Sequence, residues 1–91
     1  MALTTALKAP LIVTDPATGD PLPKASLVGM VTVDNAVISV DESDPAAIYI
    51  VGQFAGSSRV LVNLPDGRAG ALTVEVSHAP LVLELGDPVA K

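Results

Sequence analysis

Apolar and polar residues alternate most cleanly over residues 56–77, GSSRVLVNLPDGRAGALTVEVS, where two alternating runs flank a short turn. An extended backbone sends Val60, Val62 and Leu64 to one face of the first run and Arg59, Leu61 and Asn63 to the other. In the second run Leu72, Val74 and Val76 oppose Ala71, Thr73, Glu75 and Ser77. Between them Pro65 pre-sets φ, Asp66 bonds its own backbone and Gly67 supplies a positive φ, so the stretch predicts a β-hairpin.

Shorter strands are predicted along the rest of the chain. Leu11-Ile12-Val13, bounded by Pro10 and Pro16, reads as a first strand at a sheet edge, because proline cannot donate to a ladder. Residues 15–23, DPATGDPLP, are a dense cluster of turn formers. Residues 25–33 (ASLVGMVTV) predict a second strand, with Leu27 toward the core, a bulge or close backbone approach at Gly29, and Met30 filling an irregular gap. After a turn at Asp34-Asn35, residues 36–40 (AVISV) predict the third. An acidic loop over residues 41–45 leads to the fourth at 47–53 (AIYIVGQ), with a bend at Gly52. Residues 81–85 (LVLEL) predict a last strand with Leu81, Leu83 and Leu85 on one face, stopped by Gly86-Asp87-Pro88.

About seven short strands spaced roughly ten residues apart predict an all-β, two-sheet sandwich. No segment holds a helical period without a Gly or Pro. One domain over residues 10–88 follows, preceded by an extended N-terminal arm (1–9) and followed by a short tail (89–91). The arm, MALTTALKA, is either a frayed terminus or a segment ordered by a neighbouring subunit.

Composition sharpens this picture. Of the 91 residues 49% are hydrophobic but only 2% aromatic, so the core is built from Val, Leu, Ile and Ala, which suit a pleated surface. With no Cys, no disulfide supplements that core. A net charge of -5 with scattered Lys and Arg argues against nucleic acid, whose phosphates need clustered basic residues. No apolar run approaches the roughly 20 residues of a membrane-spanning helix, and MALTTALKAP lacks the charged and long apolar regions of a secretion signal. Excess apolar surface is therefore core or interface.

Candidate chemistry is sparse. Asp34, Asp41, Glu42 and Asp44 are a solvated acidic group or, as the alternative, Ca²⁺ ligands, although their spacing matches no EF-hand. His78 is the only histidine, and Ser77 beside it points to the opposite face of a strand, so the pair makes no local triad. The glycines lack a phosphate-loop pattern. The expectation is a protein that is not an enzyme and takes no cofactor or metal. Outward apolar residues are more telling: if Val60 and Val62 are core then Leu61 is not, Val82 opposes the Leu81 face, and one of the pairs Ile48/Ile50 and Tyr49/Val51 faces out. Leu3, Leu7, Tyr49, Val51, Leu61 and Val82 are thus the candidate interface of an oligomer or lattice, provided they coincide in space.

The runs VDNAVISV, IYIVGQFAGSSRVLVNLPDG and ALTVEVSHAPLVLELGDP, preceded by a D..G.P.P crossover over residues 15–23, resemble the bacterial immunoglobulin-like (group 2-like) domain, in the compact stand-alone form found among phage and prophage structural proteins. Val37 to Val40, Val51-Gly52, Gly56-Ser57-Ser58, Val60, Val62, Asp66-Gly67 and Leu72 to Val76 occupy the family's positions, while Met30 or Val31 stands where many relatives carry a Trp. The resemblance implies an immunoglobulin-like sandwich and a non-catalytic virion protein. Its partners would be the major capsid protein or another virion protein, with homo-oligomeric or lattice-bound copies and no nucleic acid or membrane. Assembly would take place in the host cytoplasm, and the implied role is capsid decoration or stabilisation. The alternative is an adhesion module that binds a host surface or glycan through its loops.

Overall fold

Strands form at most of the positions that the alternation predicts and at two that it does not. The computed structural model describes residues 2–91, with β1 (Ala2–Thr4), β2 (Lys8–Pro10), α1 (Lys24–Leu27), β3 (Val31–Val33), β4 (Ile38–Asp41), β5 (Tyr49–Gly52), β6 (Gly56–Asn63) and β7 (Ala69–Ser77) in chain order. One sheet has four strands in the order β1-β7-β6-β3 and the other three in the order β2-β5-β4. Every pairing is antiparallel except that of β1, which runs parallel to β7. The chain is all-β, with its seven strands in two sheets and a single turn of helix.

The hairpin forms as β6 and β7, in register from Gly56 opposite Val76 to Asn63 opposite Ala69. Its turn closes through the Gly67 N–H to the Leu64 carbonyl (3.1 Å) and the Leu64 N–H to the Arg68 carbonyl (2.8 Å), with Gly67 at φ 92°. The Arg68 N–H donates to Asp66 Oδ1 (3.0 Å), the self-bonding expected of Asp in a turn. Val60, Val62, Val74 and Val76 face inward and are buried, meeting Ile38, Ile48 and Ile50 of the other sheet and its approach. Leu3, Leu27 and Val31 complete an aliphatic core without an aromatic ring. Of the two alternatives on β5, Ile48 and Ile50 are the buried pair, and Tyr49 and Val51 face out.

The differences from expectation have physical causes. The N-terminal segment read as an arm supplies a strand to each sheet: Leu3 of β1 pairs with Val76 and Ala9 of β2 with Ile50. Met1, the first residue of that arm, lies outside the described residues. Leu11-Ile12-Val13 is not itself a strand; the chain pairs three residues earlier, and after Pro10 only the Leu11 N–H to Ile48 carbonyl bond (2.8 Å) and an isolated bridge between Thr14 and Pro21 continue the pattern. The expected second strand begins as helix α1, where Pro23 sets the entry and Lys24, Ala25 and Leu27 are good helix formers. Gly29, at φ 78°, reverses the chain into β3.

Residues 81–85 form no strand. The edge of β7 nearest to them is already filled, because Ala2–Thr4 pair with Glu75, Val76 and Ser77. The Thr5 N–H donates to the Ser77 carbonyl (3.0 Å) and the Ala79 N–H to Thr5 Oγ1 (3.1 Å), sealing that corner. Beyond it residues 80–91 are exposed and without regular structure, and they stretch the molecule to 71 Å against 24 and 21 Å in its other dimensions. The C-terminal tail is therefore much longer than residues 89–91.

Candidate interaction surface

Alternation along β5 and β6 fixes where the outward apolar side chains stand. Because Ile50 and Val60 both point into the core from opposing sheets, Tyr49 and Val51 lie on one outer face of the sandwich and Leu61 on the other. The first face is laced with charge: Lys8 Nζ sits 4.5 Å from the centre of the Tyr49 ring and 3.7 Å from Asp41. By register Val51 lies between Lys8 and Ser39. On the second face Leu61 is flanked by Thr32 and Ala71. Leu3 is core, with 7% of its surface exposed, whereas Leu7 is exposed in the turn between β1 and β2. Val82 is 90% exposed on the tail. The six candidate residues therefore do not make one patch.

A groove that alternation did not reveal lies at the hairpin end of the body. It encloses about 560 Å³ between the 11–16 segment and the start of β7, with Val60, Val62, Leu22 and Leu64 beneath and Ala69, Gly70, Ala71 and Leu72 along one wall. A second hollow of about 200 Å³ shares Leu11, Ile12 and Leu72 with the first and continues it toward Val74 and Leu3. The two run into one apolar channel whose rim residues Ile12 and Leu72 are 71% and 40% exposed. The signal in the sequence is Gly70, which by register stands opposite buried Val62 and leaves the inner face of β7 without a side chain there.

Charge is concentrated at the mouth of this channel. Arg68 bridges Asp66 (2.7 Å) and Asp15 (3.1 Å), clamping the turn-rich 15–20 loop to the hairpin turn. The Ala17 N–H, then the Arg68 guanidinium, hold the Asp15 carboxyl below its usual range. The Arg68 N–H and guanidinium do the same for Asp66, and the two carboxylates raise Arg68 in return.

The acidic group is dispersed. Asp34 pairs with Arg59 (3.0 Å), and Asp41 is held low by Ser43, with a smaller contribution from Lys8. Asp44 Oδ1 accepts from the Ala46 N–H (2.7 Å), and the loop turns the Glu42 and Asp44 carbonyls onto Lys24 Nζ. Among the described residues no three His, Cys, Asp or Glu side chains converge as metal ligands. His78 and Ser77 are both exposed where the chain leaves β7. Among the described residues no helix is long and apolar enough to cross a membrane. No family model matches the chain, and no curated protein or solved structure is significantly similar to it.

Proposed function

We propose that this chain is a non-catalytic structural protein of a phage virion, an immunoglobulin-like module that binds the head lattice as a decoration or stabilising protein. The strand order supports the fold half of that reading. Lettered A to G along the chain, the sheets run A-G-F-C and B-E-D, the constant-type arrangement with its first strand moved beside the last. The observation that carries the functional half is the tail. Leu81, Val82, Leu83, Leu85 and Val89 are each at least 86% exposed on a segment that stands off a finished aliphatic core. Apolar surface of that extent is the mark of a segment that is buried against a neighbour. Its partners are the major capsid protein or another virion protein, met in the cytoplasm where the particle assembles.

Heat or osmotic challenge of purified capsids with and without the protein tests the reading, alongside its copy number per virion by mass spectrometry. Decorated particles should survive harsher treatment and carry the protein in lattice-scale numbers. Equal resistance, or a handful of copies, would count against decoration.

A further inference from the structure

We propose that the apolar channel beside β7 receives residues 81–85 of a second copy of this chain, inserted as an added strand. It rests on the assembly-forming part of the reading above and on nothing specific to a capsid.

The channel has the form such a segment needs. Its wall is the outer edge of β7 at Ala69 to Leu72, where no strand lies alongside, because β1 pairs only with Glu75 to Ser77. An incoming extended chain gains backbone hydrogen bonds along such an edge, while alternate side chains enter the hollows. Gly70 is central here: its inward position carries no side chain, and a Cβ built there meets nothing within 4 Å. That gap suits a leucine from outside.

The tail has the matching pattern. Leu81, Leu83 and Leu85 fall on one face of an extended chain, 86%, 87% and 99% exposed, with Val82 and Glu84 on the other. With the leucines turned into the channel, Val82 falls on the outer side of the sheet that carries Ala71 and Leu61, and Glu84 stays in water. The outward apolar residues of tail and sheet, far apart within one molecule, then cover one another.

The molecule's own tail is the wrong donor. It leaves β7 at Ser77, the end away from the channel, and the way back along that edge is filled by β1 and pinned by Thr5. Three residues, His78 to Pro80, span at most about 10 Å, too little to pass around β1 before Leu81. A neighbour's tail approaches the open hairpin end without obstruction. Because donor and acceptor lie at opposite poles, copies that give at one end and receive at the other form head-to-tail chains, and a reciprocal pair closes as a dimer.

Sedimentation velocity over a concentration series tests this. The full chain should associate, with a dissociation constant of about 1–10 μM, and the chain ending at Pro80 should be a monomer with an unchanged β-type circular dichroism spectrum. Gly70→Val, which fills the channel with a strand-favouring side chain, should weaken association of the full chain about tenfold or more. A synthetic peptide of residues 79–91 should bind the shortened chain and not its Gly70→Val form. A full chain that stays monomeric at about 100 μM, or a shortened chain that associates as strongly as the full one, overturns the proposal. Capsid challenge reads attachment to the virion and sedimentation reads contact between copies, so either reading can fail alone.

Discussion

Replacing Gly52 by alanine probes how closely the two sheets approach each other at β1. A Cβ at this position would stand 2.5 Å from the Thr4 carbonyl oxygen, 3.2 Å from the Thr4 carbonyl carbon and 3.2 Å from Val76 Cγ1. Ordinary carbon–oxygen contact would require the Thr4 backbone to retreat by about 1 Å. That carbonyl accepts from the Leu7 N–H (3.1 Å), and the Gly52 N–H donates to the Leu7 carbonyl (3.2 Å), so the turn between β1 and β2 cannot move without loosening both bonds. Overpacking of this kind costs about 1–3 kcal/mol. Withdrawal of β1 would also expose part of Leu3, whose full burial contributes about 2 kcal/mol. Alanine gives back up to about 1 kcal/mol by restricting the unfolded chain. The net expectation is a loss of about 2–3 kcal/mol, or roughly 10–20 °C in Tm for a chain of this size. Urea and thermal unfolding followed by far-ultraviolet circular dichroism measure it, with Gly86→Ala, whose added methyl meets nothing within 4 Å, as the neutral control. A Gly52→Ala protein within about 0.5 kcal/mol of the parent would refute the claim that this glycine exists for close approach.

Ser58 is 3% exposed and its hydroxyl has no hydrogen-bond partner among the described residues. Ser58→Ala should therefore raise stability by about 0.5–1 kcal/mol in urea titration, and a measurable loss would show that the hydroxyl is paired in solution. Asp15, Asp41 and Asp66 all ionise below the ordinary 3.8 in the folded chain. As acid is added the unfolded chain takes up protons first, so the stability these groups confer is complete above about pH 5 and declines as pH falls through 4 into their folded range. Tm against pH should show that decline and Arg68→Ala should make it shallower, because Asp15 and Asp66 then lose a partner; a flat profile down to about pH 3 would contradict it.

The β6–β7 hairpin was readable because its signal is local: strict alternation on both sides of Pro65-Asp66-Gly67. Residues 2–4 were not, since Ala-Leu-Thr is too short to carry a period and its pairing with Glu75 to Ser77 joins opposite ends of the chain. Residues 81–85 show the reverse case. Alternation there reports fitness for a strand, and nothing in it says that β1 has already taken the available edge. Helix α1 went unread because one turn, Lys24–Leu27, cannot display a 3.6-residue repeat. Alternation placed Leu61 opposite Val60 and Val62 but left open which of the pairs Ile48/Ile50 and Tyr49/Val51 faces out, and it names a face of a strand without naming its sheet, so the separation of Tyr49 and Leu61 across the sandwich needed the topology. The channel depends on an unfilled edge meeting the 11–16 segment, a relation between distant parts of the chain.

The parallel pairing of Leu3 with Val76 also sets a timetable. The four-stranded layer cannot close until β7 has been synthesised, so docking of β1 waits on it and is governed by loop closure over the segment from Leu3 to Val76. Until it happens, β7 offers a continuous vacant border to any extended peptide nearby. Newly made copies crowded on one messenger RNA would meet in that condition, so self-closure would compete at birth with exchange of the first strand between copies, and expression level would set the balance between them.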